Sequence, residues 1–543
     1  MSAARRDLQA RAQELRRRAA ELAGPIATEA AARTSLACER AVLRLFGVSG
    51  RDREGRPLAL EVVERFVALG PGRFGGGIAL PFAVAALEYD LPPEELALDI
   101  AAGNVDLALE AELLSEPERR SDAENAVRRW LDLAWQRFDA NRTARAELRG
   151  LLGEPPAPWT GADLEPTSAA LAAAAVGPLV EGGADLVRVR VPRDGELRRG
   201  LGEEIDRQAD EEEPSVAPAG SQRGLALLRT AIDEASTEAE RYVRLATRAL
   251  GLAAPDQAVV AGFERVDLLD LDPIASIVEY GIDPSRAFTD QLFALRLLAR
   301  SGATLALGPG PLAVAPELSR GEPIGSATRS GRALAMQALD LEFSLLAELP
   351  AERIFVGALP ADLLGAPSGI RAGLAEVELR RLVFPGHGLV FEEPETATAL
   401  AGWPSALTAW CAGGPAPALV LRRATATTTG IGAAEVRAAA EAAAWLATSR
   451  RLGPLAGDAL AGATRSLDVA LQTLEDLAAQ GWEPLLGATG SQGAEAGAGA
   501  AGGRRDVGAS GLVERRQYFD PFEALPRAGP IEAPSPPAVG AEH

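Results

Sequence analysis

The sequence contains no lysine, so all 55 of its basic residues are arginine. Arginine stays protonated in proteins and therefore does not act as a nucleophilic amine. The chain cannot supply a Schiff-base lysine, a P-loop lysine or a lysine general base. This exclusion holds whatever its origin, and a codon bias towards Arg, Ala and Gly is enough to explain it.

Thiols and imidazoles are almost as scarce. Cys38 and Cys411 lie far apart, so we expect no disulfide framework and no CxxC metal site. The two histidines are His543 and His387, the latter within VFPGHGLV. With so few ligands we expect no metal centre. A Ser-His-Asp or Cys-His enzyme would have to use His387, but no G-x-S-x-G elbow accompanies it. The simpler interpretation is a loop histidine that follows a strand.

The chain also lacks an excess of positive charge and any long apolar run. Its formal charge is −21, which disfavours nucleic acid or an anionic membrane as the main partner. The longest uncharged apolar stretch, residues 169–180, is rich in alanine and too short to span a bilayer. The first 22 residues have no signal-peptide core and predict an exposed amphipathic helix. We expect a cytoplasmic protein without a membrane segment.

The 543 residues suffice for three or four domains, or for one large barrel with additions. Residues 1–158 are predicted to form an N-terminal helical region, because apolar residues recur at helical spacing in 59–69 and 123–138. The proline-rich stretch 153–161 marks its end.

Residues 159–450 alternate between strand-like and helix-like segments. The predicted strands are 184–191, 303–308, 353–360, 380–385 and 417–423, and the predicted helices include 223–250 and 433–449. This alternation indicates parallel βα units, hence an α/β fold that is either a TIM-type (β/α)8 barrel or a doubly wound sheet. We favour the TIM-type barrel.

A C-terminal helical extension is predicted at 451–486, with its amphipathic stretch at 463–481. Residues 487–511 are rich in Gly and Ala and predict a flexible linker, because they offer little apolar surface to bury. Residues 512–543 contain the aromatic segment RQYFDPFEALP, which we expect to dock on the body of the protein.

Local motifs suggest few sites. GPGRFGGG (70–77) predicts a turn, and DEEE (210–213) predicts a solvated loop. Asp267, Asp270 and Asp272 in ERVDLLDLDP either serve acid-base chemistry or flank a barrel strand. The segment 188–196 is more suggestive. A strand that ends at Arg190 or Arg193 before a glycine-containing loop could bind phosphate at the C-terminal rim of a barrel.

Several segments, in order, resemble the alpha subunit of lysine 5,6-aminomutase, a family that depends on adenosylcobalamin and pyridoxal phosphate. These segments are ERAVLRLFGVSG (39–50), GGADLVRVRV (182–191), RYVRLATRALGL (241–252), GFERVDLL (262–269), DQLFALRLL (290–298), LVFPGHG (382–388) and YFDPF (518–522). The resemblance spans nearly the whole chain.

The resemblance implies a TIM barrel with helical additions that works only with a partner. In that family a Rossmann-type beta subunit binds cobalamin through D-x-H-x-x-G and supplies the aldimine lysine, so the absence of lysine here does not exclude the family. The barrel would hold pyridoxal phosphate and a small amino acid during radical 1,2-amino migration, which is an isomerase reaction. A hetero-oligomer is implied.

Carried over residue by residue, the resemblance assigns the phosphate-binding arginine to Arg190. Other cofactor and substrate positions of the family are replaced in this chain, and they fall at Glu196, Leu250, Ala275, Tyr280, Gly310 and Pro311. The retained residues are expected to hold the barrel together, and they are Arg40, Arg244, Glu264, Arg265, Asp267 and Asp290.

Three hypotheses follow. The first is a divergent aminomutase barrel subunit that acts together with a cobalamin-binding partner. The second is a non-catalytic barrel or scaffold subunit that has lost pyridoxal phosphate and substrate binding. The third is an unrelated barrel enzyme that uses His387 and the acidic loop. No catalytic residue is assigned from the sequence.

Overall fold

A computed structural model describes residues 3–52, 56–67, 74–155, 157–164, 168–189, 219–249, 254–280, 282–308, 326–358, 369–392, 418–424, 436–437, 440–441, 458–482 and 511–523. Helices cover most of the described chain before residue 153. They are α1 (Ala3–Ala31), α2 (Leu36–Leu45), α3 (Leu58–Val67), α4 (Ala79–Glu88), α5 (Pro93–Ala102), α6 (Leu107–Leu113) and α7 (Pro117–Leu152).

Polar caps and glycines set where these helices begin and end. Ser35 caps α2 by accepting a hydrogen bond from the amide of Cys38 at 3.2 Å, and Asp106 caps α6 through the amide of Ala108. Gly103 follows α5 with a φ of 80°, a left-handed conformation that glycine adopts without steric cost. The short strand β1 (Arg33–Ser35) separates α1 from α2.

Eight described strands, all parallel to their neighbours, close into a barrel in chain order. They are β2 (Trp159–Leu164), β3 (Leu186–Val189), β4 (Arg244–Ala249), β5 (Leu268–Leu271), β6 (Thr304–Leu307), β7 (Ile354–Ala358), β8 (Gly388–Glu392) and β9 (Ala418–Ala424). The ring closes where β9 pairs with β2, with Gly161 opposite Leu421. The predicted TIM-type barrel is therefore confirmed.

Helices surround the barrel on its outside. They are α8 (Ala169–Glu181), α9 (Gln222–Glu238), α10 (Ala254–Phe263), α11 (Pro273–Tyr280), α12 (Pro284–Ser301), α13 (Ser326–Leu346), α14 (Gly369–Val383) and α15 (Asp458–Gln480). Helix α1 packs against α13 and α15 through a stripe that includes Leu8 and Leu15. The apolar face of α1 thus covers the outer helices of the barrel on one side.

Two sequence predictions are wrong at the level of elements. Residues 380–385 are not a strand, because α14 extends to Val383 and the strand is β8, five residues later. Residues 223–250 are not one helix, because α9 ends at Glu238 and β4 occupies 244–249. Of the helix predicted at 433–449, only four residues belong to the described chain. The division of the chain into five segments remains a prediction.

The interior of the barrel separates into an apolar floor and a charged upper layer. The apolar cluster contains no helix residue and therefore lies inside the barrel, and its members are Leu186, Ala246, Leu268, Ala306, Phe355, Val390, Leu419 and Leu421. Trp159 packs on it from β2. Because side chains alternate along a strand, the residue two positions further on also faces the interior.

The C-terminal segment returns to the N-terminal helices. The strand β10 (Leu512–Glu514) pairs antiparallel with β1. Phe522 lies 4.9 Å from Phe293 and 6.3 Å from Trp135, measured between ring centroids. In the described part of the chain, no helix is long and apolar enough to cross a membrane.

Candidate active site at the barrel mouth

Charged side chains form a ring inside the barrel near the carboxyl ends of its strands. We call Asp163, Arg188, Arg248, Asp270 and Glu392 the mouth ring. Each lies two residues beyond an inward-facing position of its strand, so each also faces the interior. The carboxyl ends of barrel strands carry the active sites of TIM-barrel enzymes, which makes this ring the candidate site.

Arg188 is the centre of the mouth ring and is 1% exposed. Its Nε and Nη2 donate to the two carboxylate oxygens of Asp163, both at 2.9 Å, which is the bidentate geometry favoured by a guanidinium. Its Nη1 donates to Asp270 Oδ2 at 3.2 Å and to Glu392 Oε1 at 2.5 Å. One side chain therefore joins β3 to β2, β5 and β8 across the barrel.

Arg248 is the second cation of the ring, and its Nε lies 3.3 Å from Asp270 Oδ2. Burial lowers the pKa of both arginines, but the surrounding carboxylates outweigh burial and raise it. Burial raises the pKa of Asp270 despite the two arginines. Burial also acts on Glu392, but there the arginines prevail and lower the pKa. The pKa values of Asp270 and Glu392 are thus shifted in opposite directions.

The sequence contains a signal for this ring outside the local motifs. In LVRV (β3) an arginine follows an inward-facing leucine in a strand whose other residues are apolar. A buried charge at an alternate strand position indicates a polar layer within the barrel, because an unpaired charge there is costly. The three carboxylates that Arg188 contacts in the ring lie 25 to 204 residues away along the chain, too far for a local motif.

The three aspartates of ERVDLLDLDP lie in three different places. Asp270 belongs to the mouth ring. Asp272 lies at the rim, where its Oδ1 accepts a hydrogen bond from the amide of Ala275 at 2.8 Å and so begins α11. Asp267 precedes β5 at the opposite, amino end of the barrel. The spacing does not bring the three carboxylates to one substrate.

Asp267 is fully buried among cations at that amino end. Arg145, Arg149 and Arg229 lie within 3.2 Å of its carboxylate, and the hydroxyl of Tyr242 donates to it at 2.6 Å. Burial would raise the pKa of Asp267, but the three arginines and Tyr242 outweigh it and lower the pKa to about 2. This cluster is a structural centre far from the mouth.

His387 is not part of the candidate site. It directly precedes β8, and its Nδ1 lies 3.3 Å from the carbonyl oxygen of Ile354, the first residue of β7. It therefore lies at the amino end of the barrel, after a helix and not after a strand. Burial lowers its pKa. This placement does not support the hypothesis of an unrelated barrel enzyme that uses His387 and the acidic loop.

Other predicted positions lie outside the described residues. These include Arg190, Arg193, Glu196, Leu250, Gly310 and Pro311, the acidic run 210–213 and Cys411. Arg190 therefore remains a predicted phosphate contact. Of the replaced family positions, Ala275 is described and is buried in α11. Among the described residues, no group of His, Cys, Asp and Glu side chains is arranged to hold a metal ion.

The retained residues form ion pairs in the scaffold. Arg40 donates to Asp256 at 2.9 Å and so joins α2 to α10, and Arg265 donates to Asp233 of α9 at 2.6 Å. Further pairs join Glu264 to Arg137, Asp290 to Arg286 and Arg244 to Glu154. Arg244 also lies 3.6 Å from the ring centroid of Trp159. These contacts support the interpretation that the set holds the barrel together.

Sequence comparison places most of the chain within a known family. The profile of the D-lysine 5,6-aminomutase TIM-barrel domain of the alpha subunit matches residues 7–398. The chain is 26% identical over 381 residues to the lysine 5,6-aminomutase alpha subunit of Fusobacterium nucleatum, and the match covers 67% of this chain and 66% of that protein. It is also 26% identical over 381 residues to the protein of the same description from Acetoanaerobium sticklandii, which covers 66% of each. The match thus spans just under two thirds of the length of these relatives.

Solved structures show a weaker likeness. A Yersinia pestis DHPS has a TM-score of 0.33 and 11% identity, and the match covers 53% of this chain and 92% of that one. A Xanthomonas albilineans dihydropteroate synthase has a TM-score of 0.31 and 16% identity, and the match covers 55% of this chain and 95% of that one. Scores this low carry no information about function.

Proposed function

The chain belongs to the D-lysine 5,6-aminomutase alpha-subunit family, and from this membership we propose that it is the barrel subunit of an aminomutase. The reaction is the migration of an amino group between neighbouring carbon atoms of a small amino acid. The observation that carries the proposal is the family match over 7–398, which includes all five residues of the mouth ring.

A partner subunit is part of the proposal. The two curated relatives are described as alpha subunits, which supports an assembly with a second kind of subunit. We assign to that partner a Rossmann-type domain that binds adenosylcobalamin. Cobalamin supplies the radical chemistry when it is bound, and the partner also has to provide any lysine, because this chain has none.

The barrel of this chain would provide the reaction chamber. Its floor is apolar and buried, and the rings of Trp159 and Phe355 lie 5.9 Å apart there, which favours a lumen with little water at this end. Its mouth presents carboxylate and guanidinium groups that are fixed by one another and therefore cost little to reorganise around a polar ligand. Exclusion of water also protects a reactive intermediate from side reactions.

Pyridoxal phosphate does not fit the described part of the mouth. Its phosphate needs cationic or amide donors that are free to bind it. The two described arginines of the mouth already face the carboxylates of Asp163, Asp270 and Glu392. We therefore derive no step through this cofactor.

The same observation favours a second candidate function. A family member whose mouth arginines are held by its own carboxylates, in a chain without lysine, could serve as a non-catalytic barrel subunit. It would bind and position the cobalamin partner but leave amino acids unchanged. The two functions share the partner and differ in turnover.

The experiment is to purify the tagged chain from its native host in the dark and to identify co-purifying proteins by mass spectrometry. The absorption spectrum of the complex reports a corrinoid, and incubation with a panel of amino acids followed by chromatography reports isomerisation. The aminomutase proposal expects a corrinoid-binding partner and an isomerised amino acid. A partner without turnover supports the non-catalytic subunit, and the absence of a cobalamin partner contradicts both.

Two variants sharpen this experiment. Asp270→Asn changes the mouth ring, and we expect it to lower turnover by roughly tenfold or more while the partner still co-purifies. Asp132→Asn removes the same charge from an exposed position on α7 and is expected to leave turnover unchanged. Equal turnover in the two variants would show that the reaction takes place elsewhere.

A further inference from the structure

Arg244 is a buried cation at the amino end of the barrel, the end opposite to the mouth. It is the first residue of β4 and is 4% exposed. Its guanidinium lies over the rings of Trp159 and Tyr242, at 3.6 Å and 5.7 Å from their centroids. The carboxylate that pairs with it is that of Glu154, whose side chain is 46% exposed. The counter-charge of this buried cation thus lies at the protein surface.

Arg149 of α7 is the second cation beside Glu154. Its side chain is 31% exposed, and its Nε lies 3.4 Å from Glu154 Oε1. Its Nη2 donates to Asp267 Oδ1 at 3.2 Å. Glu154 therefore turns Oε1 towards Arg149 and Oε2 towards Arg244. A carboxylate at the protein surface bridges two guanidinium groups, as an oxyanion ligand would.

This bridge leaves two donors without an acceptor. Within the described chain, no atom accepts a hydrogen bond from Arg149 Nε or from Arg244 Nη1, although both atoms are buried. A buried donor without an acceptor is unfavourable. A tetrahedral oxyanion has four oxygen atoms where a carboxylate has two, so it can accept hydrogen bonds from more of the N–H groups of both arginines.

The surroundings of the bridge carry an excess of positive charge, in a chain whose formal charge is −21. Contacts among the described residues place five arginines on three carboxylates. The arginines are Arg145, Arg149, Arg229, Arg244 and Arg265, and the carboxylates are those of Glu154, Asp233 and Asp267. Burial and the neighbouring Arg149 lower the pKa of Arg244 to about 9, although Asp267 acts in the opposite direction. An anion is therefore attracted to this end of the barrel.

We propose that Arg149 and Arg244 form a binding site for a small tetrahedral oxyanion, such as inorganic phosphate, at the amino end of the barrel. In the structure Glu154 occupies this site as an internal substitute for the ligand. Glu154 follows the end of α7, and its exposed side chain can turn into solvent when an oxyanion binds. The carboxyl end of α7 opposes an anion, but this effect is weaker than two charge-assisted contacts. The site lies far from the mouth, so the inference does not depend on the proposed function.

The test is equilibrium dialysis of the purified full-length chain against labelled inorganic phosphate. Thermal unfolding in phosphate and in chloride of equal ionic strength is the second readout. The wild type is expected to bind phosphate saturably with a Kd of about 1–10 mM, because Glu154 competes with the ligand. Glu154→Gln weakens this competitor, and we expect it to bind phosphate roughly tenfold more tightly. Glu147→Gln is the matched control, since it removes an exposed carboxylate of α7, and it is expected to bind as the wild type does.

A double variant tests whether the gain arises at this site. Glu154→Gln combined with Arg149→Gln should lose the gain, because the site then lacks one of its two cations. The proposal is overturned by a wild type without saturable binding, by a Glu154→Gln variant that binds no more tightly than Glu147→Gln, or by a gain that persists in the double variant. If the double variant does not fold, the two single variants decide. Partner co-purification and turnover are measured separately, so a failure here is distinct from a failure of the proposed function.

Discussion

Asp267 draws its binding partners from three separate parts of the chain. Arg145 and Arg149 come from α7, Arg229 from α9, and Tyr242 from the residues before β4. Because the carboxylate is fully buried, its loss would leave the buried Arg145 without its counter-charge, and breaking a buried pair is strongly destabilising. The network thus ties the N-terminal helical region to the amino end of the barrel.

Tyr242→Phe should destabilise the protein in a pH-dependent way. The hydroxyl stabilises the Asp267 carboxylate, whose pKa is lowered from 3.8 to about 2, so this contribution is complete above pH 4 and is lost as the pH falls towards 2. We expect the variant to lose about 1.5–3 kcal/mol of unfolding free energy at neutral pH. Urea unfolding between pH 7 and roughly pH 2.5 should show the difference from the wild type shrinking on the acid side.

Tyr89→Phe is the control for this change. Tyr89 is 45% exposed, and its hydroxyl donates to Glu110 at 3.2 Å. We expect a loss of less than about 0.5 kcal/mol. A Tyr242→Phe difference that stays constant down to the lowest pH would mean that the hydroxyl does not act through the charge of Asp267.

At the scale of elements, glycine determines how closely two helices approach. Gly262 near the end of α10 faces Phe138 of α7, and a Cβ at that position would lie 2.3–2.6 Å from the phenyl ring. Phe138 in turn packs edge-on against Phe263 at 5.3 Å and against Trp135 at the same centroid distance. The ring has little room to move, because protein interiors are close-packed.

Gly262→Ala should destabilise the protein by about 1–3 kcal/mol because it overpacks this contact. Gly462→Ala in α15 is the matched control, since no atom lies within 4 Å of the added methyl group. There we expect a gain of about 0.5–1 kcal/mol, the usual preference for alanine over glycine in a helix. Chemical unfolding measures both.

The cause can be checked by a double variant. Phe138→Leu replaces the phenyl ring by a smaller side chain and should recover some of the stability that Gly262→Ala loses. If Gly262→Ala loses nothing on its own, the α7–α10 contact is looser than the distances indicate.

At the scale of the whole molecule, the last described segment, residues 511–523, packs against the N-terminal helical region. Besides the pairing of β10 with β1, Tyr518 lies over Gly77, where a Cβ would come within 2.5 Å of its ring. Phe522 inserts between Phe293 of α12 and Trp135 of α7. The segment therefore contacts both the N-terminal helices and a barrel helix.

Limited proteolysis within the predicted linker 487–511 should yield two fragments that stay together. Strand pairing and the aromatic contacts of Phe522 hold the C-terminal fragment in place, so both fragments should co-elute in size-exclusion chromatography. Phe522→Ala should weaken their association by roughly tenfold or more, as expected from a lost aromatic contact. Dissociation of the wild-type fragments would show that these contacts of the C-terminal segment need an intact chain. The exposed change Glu523→Gln is the control.

The sequence alone predicted the barrel and the family, and it failed where local patterns are ambiguous. RRLVFP is a short apolar run after two arginines, and such a run is compatible with a strand or with the end of a buried helix. It proved to be the end of α14. The prediction of one helix over 223–250 wrongly included β4. Arginine and alanine are good helix formers, and they continue through the strand sequence RLATRA. There the pairing with β3 and β5 outweighed the intrinsic propensity.

The amino-acid sequence by itself determined that this chain supplies no lysine amine for a Schiff base or for acid-base chemistry, because folding cannot supply a residue that is not encoded. It also indicated the alternation of strands and helices, because hydrophobic periodicity is local, but it missed β2, β4 and β5 and misplaced β8. Only the tertiary structure decided that Asp267 and Asp270 lie at opposite ends of one strand and that His387 lies far from the mouth. It alone brought Arg188 to Glu392, 204 residues away. The reason is physical: closure of the barrel, and not spacing along the chain, selects which strand ends share one layer and therefore which charges meet.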